Sequence, residues 1–365
     1  MRVTQVRSHA FAWAMDGRGA ARGTRARESI VIEVRGDGGE IGLGEAAPLP
    51  GMSRDTLGDA AAAIARLEAR VPFVLEIRPG GSPAWISVVE LARDVAPASA
   101  AARFAIETAL LDMLTRAAHA PLADWFASTP ATRAAIAAVV DDANDARIAY
   151  AAGVRTLKIK LGPDEALGRV RAIADAAPGA KLRIDANQSW PIEIVPTRLA
   201  ALVDLVADAI AYVEEPCRDT RRLLREPLPC KLALDESLQG LSHAEIIEQL
   251  AQPQLAAIVL KPSLLGLYDA LVIAQATRYY GPEPVVSHAL EGPIGSAACA
   301  QLALAVDLGI GCCVAGLAAH AGLGGWRLAV PQIAADHIHA VDAPGLGFAP
   351  DLDLDAVIAA APEAP

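Results

Sequence analysis

Three carboxylates and two lysines stand out because each closes a short apolar run. Asp185, Glu214 and Asp235 follow one another at intervals of 29 and 21 residues, with Lys160 upstream and Lys261 downstream. The runs are Arg155-Thr156-Leu157-Lys158-Ile159-Lys160, Lys181-Leu182-Arg183-Ile184-Asp185, Ala211-Tyr212-Val213-Glu214, Lys231-Leu232-Ala233-Leu234-Asp235 and Ala257-Ile258-Val259-Leu260-Lys261. Each reads as a short buried strand with a charge at its C-terminal end. One such carboxylate is usually a helix N-cap or a solvated loop residue. A convergent series is different, because carboxylates gathered without a cation raise one another's pKa. The pattern describes a divalent-cation site facing amine bases.

The chemistry follows from the donor types. Ligands that are all oxygen, with no Cys or His, favour Mg²⁺ over Zn²⁺, with Mn²⁺ as an alternative. A hard cation on a substrate carboxylate stabilises the enediolate formed when a base removes the α-proton. Lys158 and Lys160 flank Ile159 and so share one face of a strand. Two adjacent ammonium groups depress each other's pKa, which would keep one amine basic near neutral pH; a strand with solvated lysines is the plain alternative. Lys261, after five apolar residues, is too deep for a casual surface charge.

In a parallel (β/α) barrel all five charged strand ends converge on one face, the C-terminal one, where the active sites of such barrels are built. The 365 residues suit a barrel of roughly 200 to 250 residues plus a smaller domain. Alternation in Ser29–Arg35, followed by Gly36-Asp37-Gly38-Gly39, predicts antiparallel strands and a hairpin. Helical spacing follows over 59–70 and 101–118. These place an α+β domain at 1–120, completed by 326–365, around a barrel at 121–325. Barrel strands are expected near 136–140, 155–160, 181–185, 211–214, 231–235, 256–261, 284–287 and 310–314. Helices are expected over 164–176, 196–207, 242–250, 265–277 and 294–306. The Gly- and Arg-rich segment 16–27 reads as a mobile loop.

Composition excludes some classes. A net charge of −11 argues against a nucleic-acid partner. Cys217, Cys230, Cys299, Cys312 and Cys313 form no C-x-x-C pair and read as reduced thiols. Neither a leader-like apolar run at the start nor a membrane span is legible, so a cytoplasmic protein is expected. Oligomeric state is left open.

The series Lys158-x-Lys160, Asp185-x-Asn187, Glu214-Glu215-Pro216, Asp235-Glu236-Ser237 and Lys261-Pro262 resembles the enolase superfamily, in the branch of muconate cycloisomerases, dipeptide epimerases and o-succinylbenzoate synthases. The resemblance spans nearly the whole chain. The segments 44–53, Glu214-Glu215-Pro216-Cys217 and 258–266 look most like the o-succinylbenzoate synthases. The resemblance implies a (β/α)7β TIM-type barrel with an N-terminal α+β capping domain. It implies metal ligands Asp185, Glu214 and Asp235, Lys160 as the base, and Lys261 as electrostatic support from the opposite side. It further implies a Mg²⁺-dependent syn dehydration of 2-succinyl-6-hydroxy-2,4-cyclohexadiene-1-carboxylate in menaquinone synthesis. N-succinylamino acid racemase or cycloisomerase is the alternative within the superfamily, and a silent barrel used for binding is the alternative outside it.

The cap is expected to close the barrel mouth through the loop 17–27 and the turn Pro50-Gly51-Met52-Ser53. Lys158, Ser53, Ser287 and Gly292 are the candidate substrate-binding residues; the helix start at Gly292 would aim its N–H groups at a carboxylate. Ser53 also reads as an N-cap. His288 and Glu291 could titrate, yet the reaction needs neither as acid or base. Dipeptide epimerases usually carry Asp-x-Asp near the eighth strand; here that stretch is Cys312-Cys313-Val314-Ala315-Gly316-Leu317.

Overall fold

The computed structural model describes residues 1–15, 26–76, 85–307 and 313–363, and contains two sheets. The first is antiparallel, built from β1 (Arg2–Ala14), β2 (Ala26–Gly36), β3 (Ile41–Ala46) and β4 (Phe73–Val74) in the order β3-β2-β1-β4. The helix Ala100–Ala117 lies against β3, and its burial is nearly complete. Gly42 and Gly44 make that contact possible. They share one face of β3, and a Cβ on either would fall on the carbonyl oxygens of Ala109 and Ala105.

The second sheet is a parallel ring. Its strands are β5 (Arg133–Val139), β6 (Thr156–Lys160), β7 (Lys181–Asp185), β8 (Ile210–Glu214), β9 (Leu232–Leu234), β10 (Leu255–Leu260), β11 (Glu283–Val286) and β12 (Val314–Ala315). The first seven expected strands match these closely; of the eighth, expected at 310–314, residues 310–312 lie outside the described residues and β12 begins at its last position. The expected helices appear as Gly168–Ala176, Val195–Val206, His243–Leu250, Leu267–Tyr280 and Pro293–Val306. Helices at Ile86–Val95 and Ala143–Ala151 were not read from the sequence.

β12 is only two residues long, yet the ring closes. A parallel bridge joins Ser287 to Gly316. Inside the barrel, Arg183 donates to the Val314 carbonyl at 2.8 Å and to Glu283 at 2.7 Å, while Glu283 accepts the Val314 N–H at 2.8 Å. Arg183 lies over the Tyr212 ring at 5.2 Å. The short strand is therefore held by side chains as well as by its ladder.

The segment after 325 divides between the two sheets. β13 (His337–His339) pairs antiparallel with β5 at the barrel floor, so this part does not pack on the cap as expected. The helix Leu354–Ala360 does: Leu354 N–H donates to Glu33 at 2.8 Å, and Arg7 meets Asp355 at 2.6 Å.

Two buried cap carboxylates grip barrel helices at their N-termini, where unpaired N–H groups and the helix dipole favour an anion. Glu45 accepts from Gly292 at 2.7 Å and Gly295 at 2.9 Å, at the start of Pro293–Val306. Glu107 accepts from Tyr268 at 3.0 Å, at the start of Leu267–Tyr280. Burial pushes the Glu107 carboxyl up to about 7, against the pull of those N–H groups. An acid whose folded pKa is raised loses stability as pH climbs from its ordinary value through the folded one. Unfolding measured between pH 4.5 and 7.5 should show this decline, on the order of 3 kcal/mol in all, and Glu107→Gln should flatten that part of the profile. An unchanged slope in the variant would assign the decline to other groups.

Candidate active site

Register brings the charges together. In the parallel ladder Lys160 pairs with Asp185, and Asp185 with Glu214, so three adjacent strand ends carry three charges at one level. Asp235 follows β9 and Lys261 follows β10. The expected metal ligands and lysines thus occupy five consecutive strand ends, from β6 to β10.

All three carboxylates are buried, at 2% exposure for Asp185, 1% for Glu214 and 5% for Asp235. Lys158 lies between two of them, 2.9 Å from Asp185 Oδ2 and 2.9 Å from Glu214 Oε1. Lys261 is ion-paired with Asp235, and its Nζ is 3.6 Å from Met52 Sδ on the cap turn. Lys160 makes no side-chain hydrogen bond or ion pair among the described residues.

The electrostatics correct one expectation. Lys158 is not depressed by its lysine neighbour: burial lowers its pKa, but Asp185, Glu214 and Asp235 together outweigh burial and raise it well above the ordinary value. Lys158 is held as an ammonium among the carboxylates. Asp185 is lowered: burial opposes this, and Lys158 overcomes burial. Glu214 goes the other way, pushed up to about 8 by burial and then by Asp185. Two ammonium groups against three carboxylates leave one negative charge without a partner, and Glu214 carries the strain. That uncompensated, oxygen-only, buried cluster fits a hard divalent cation.

Residues around the ligands hold them in place. The Asn187 backbone N–H donates to Asp185 Oδ1 at 2.9 Å, and its φ of 46° lies in the left-handed region that asparagine tolerates. Glu215, to which the sequence reading gave no role, accepts from the Asp235 N–H at 2.9 Å, the Ser237 N–H at 2.8 Å and the Ser237 hydroxyl at 2.8 Å. It fixes the start of the loop that carries Asp235.

Two other expectations change, for Gly292 and for Ser53 as a cap, and Ser287 has a partner within the barrel. Gly292 does not offer its N–H to a ligand, because Glu45 already accepts it. Ser53 is not the N-cap: Thr56 caps Leu57–Glu68 with a reciprocal bond from Asp59, and Ser53 Oγ accepts the Leu49 N–H at 2.7 Å. Ser287 Oγ donates to the Gly316 carbonyl at 3.1 Å and serves the barrel seam.

Residues 16–25 of the expected lid lie outside the described residues. Arg27, assigned to that mobile loop, is 1% exposed. Its guanidinium donates to the carbonyls of Ala47, Pro48, Ala289 and Leu290, pinning the cap to the loop after β11. No signal in the sequence marks Arg27, because its partners are backbone atoms as far as 263 positions away. Cys217, Cys230, Cys299 and Cys313 are free thiols. No helix among the described residues is long and apolar enough to cross a membrane.

Comparison with known proteins agrees with this geometry. Residues 141–354 match the family model described as Enolase C-terminal domain-like. The chain is 29% identical over 295 residues to the o-succinylbenzoate synthase of Enterobacter sp. (strain 638), covering 77% of this chain and 80% of that one. It is 30% identical over 269 residues to the L-Ala-D/L-Glu epimerase of Escherichia coli (strain K12), covering 72% and 78%. Among solved structures, the dipeptide epimerase of Methylococcus capsulatus, complexed with Mg and the dipeptide L-Arg-D-Lys, superposes with a TM-score of 0.78 at 23% identity, covering 95% of this chain and 99% of that one. The chain belongs to the enolase C-terminal domain-like family.

The role of Lys158 has a direct consequence. Lys158→Met leaves Asp185 and Glu214 buried against each other, and removing one partner of a buried ion pair costs about 3 kcal/mol or more. Thermal melts in EDTA should show the variant strongly destabilised, with Mg²⁺ recovering more of the loss than it adds to the wild type. Equal melting of the two proteins in EDTA would remove Lys158 from this role.

Proposed function

From that membership we propose that the protein is a Mg²⁺-dependent carbon-oxygen lyase, an o-succinylbenzoate synthase. It dehydrates 2-succinyl-6-hydroxy-2,4-cyclohexadiene-1-carboxylate, a step of menaquinone synthesis. The observation that carries the reading is the division of labour among the three mouth lysines. Lys158 and Lys261 are committed to carboxylates, while Lys160 keeps its amine uncommitted beside Asp185.

Asp185, Glu214 and Asp235 would hold the cation, which when bound would supply positive charge to the substrate carboxylate. Lys160 Nζ takes that proton. The C–H electron pair moves into the ring, the C–O bond breaks, and the proton on Lys160 leaves with the hydroxyl as water, so the ring becomes aromatic. Lys261, held as an ammonium by Asp235, steadies the anionic intermediate from the other side of the mouth. The cap turn at Met52, in contact with Lys261, helps exclude water.

A second reading is supported by the epimerase relatives: two lysines on opposite strands also suit two-base racemisation. A dipeptide substrate is disfavoured, since the described end of β12 offers Ala315, Gly316 and Leu317 and no carboxylate for an ammonium group. An N-succinylamino acid has no such group.

Purified protein with Mg²⁺ should convert the cyclohexadiene carboxylate, lose activity in EDTA, and lose at least about 10³-fold in kcat as Lys160→Ala. Turnover of an N-succinylamino acid without dehydration would replace the synthase reading with the racemase one. Retained activity in Lys160→Ala would reject the base assignment for either reaction.

A further inference from the structure

The charged strand ends occupy only part of the ring. The carboxylates and lysines stand at β6 to β10, so the wall facing the carboxylates is made by the ends of β11, β12 and β5. Two of these offer no polar side chain, with Gly316 after β12, bridged to Ser287, and Val139 on β5; Val139 is 51% exposed. A substrate whose carboxylate sits among the charges must lay its substituent against this wall.

Directly after β11 come two side-chain donors, Ser287 and His288. Ser287 is spent on Gly316. His288 is not: its Nδ1 accepts the Leu290 N–H at 3.3 Å, which puts the ring proton on Nε2, and Nε2 has no hydrogen-bond partner among the described residues. The ring is held by stacking on His320, with centroids 3.8 Å apart and planes 24° from parallel, and His320 is tied to Ser296 at 3.3 Å. Burial, then His320 and the ammonium groups of Lys261, Lys158 and Lys160, keep the His288 pKa well below the ordinary histidine value. A positioned N–H without a partner among the described residues suits an oxygen acceptor.

We infer that His288 is a specificity-determining residue whose Nε2–H hydrogen-bonds the acyl oxygen of the substrate's substituent, beyond the reacting carboxylate. The inference rests on the proposed succinyl-bearing substrate. The same cluster can be read as a metal site, because ligand atoms of His288, Glu291 and His320 lie within 4.8 Å of one another. Its geometry points elsewhere. Stacked rings direct their lone pairs in nearly parallel planes, and both Glu291 oxygens already accept, from Ser263 at 2.5 Å and from the Ala289 N–H at 2.9 Å.

The test is calorimetric binding to the Mg²⁺-loaded protein of o-succinylbenzoate and of its analogue with CH₂ in place of the ketone, 2-(3-carboxypropyl)benzoate. The wild type should prefer the ketone by about 3- to 10-fold, the value of one neutral hydrogen bond. His288→Leu should abolish the preference, and His288→Asn, which keeps an N–H donor, should restore part of it. A preference that survives in His288→Leu, or an equal weakening of both ligands, would overturn the inference. If the wild type binds neither ligand, the substrate reading itself fails. The three proteins are then compared on N-succinylphenylalanine and its thioamide, a weaker acceptor, where the same loss of preference is expected and its absence refutes the role of His288.

Discussion

The structure is organised around buried charge that cannot be left uncompensated. Asp185, Glu214 and Asp235 are almost wholly removed from solvent at the mouth of the barrel, where isolated carboxylates would cost several kcal/mol each. The parallel ladder leaves them no choice of position, because the register that pairs Lys160 with Asp185 and Asp185 with Glu214 also sets the hydrophobic faces of those strands. Slipping one strand by a residue would turn its apolar side chains out of the core. Fold and site are therefore fixed by one set of pairings.

The cap is held by a related device. Glu45 and Glu107 are buried carboxylates that accept from the first N–H groups of barrel helices, and Arg27 donates to four backbone carbonyls on both sides of the seam. None depends on a side chain of opposite charge, so each uses the fixed dipoles of the backbone instead. The loops they grip precede the helices after β10 and β11. Those loops carry Lys261 and His288, and docking of the cap thereby sets the walls of the mouth.

What could be read from the sequence is what depends on local pattern. Strands β6 to β10 were legible because a strand buried on both faces is an unbroken apolar run, and a charge at its end is conspicuous. The metal-ligand candidates and the two flanking lysines followed from that. Residues that act through distant backbone atoms carried no such mark: Arg27 and Glu45 look like ordinary strand charges, and Glu215 like a neighbour of Glu214. Gly292 and Ser53 were misread for the same reason, since the partner of an N–H or a hydroxyl is decided by an element elsewhere in the chain. Lys158 was misjudged because its lysine neighbour is adjacent in sequence, while the carboxylates that control it lie on other strands.

Charge balance ties the lysines to the reaction. Three carboxylates against the Lys158 and Lys261 ammonium groups leave the mouth one unit negative. In the proposed complex a divalent cation and one substrate carboxylate together would add one positive unit. A proton passing from the substrate to Lys160, as proposed, would leave the total charge of the mouth unchanged. A site in a low-dielectric mouth favours a step that redistributes charge over one that creates it. A barrel with all three lysines ion-paired would lack an uncommitted amine; one with none would leave the substrate anion unsupported. The observed division, two lysines committed and one uncommitted, suits the proton abstraction proposed for this site.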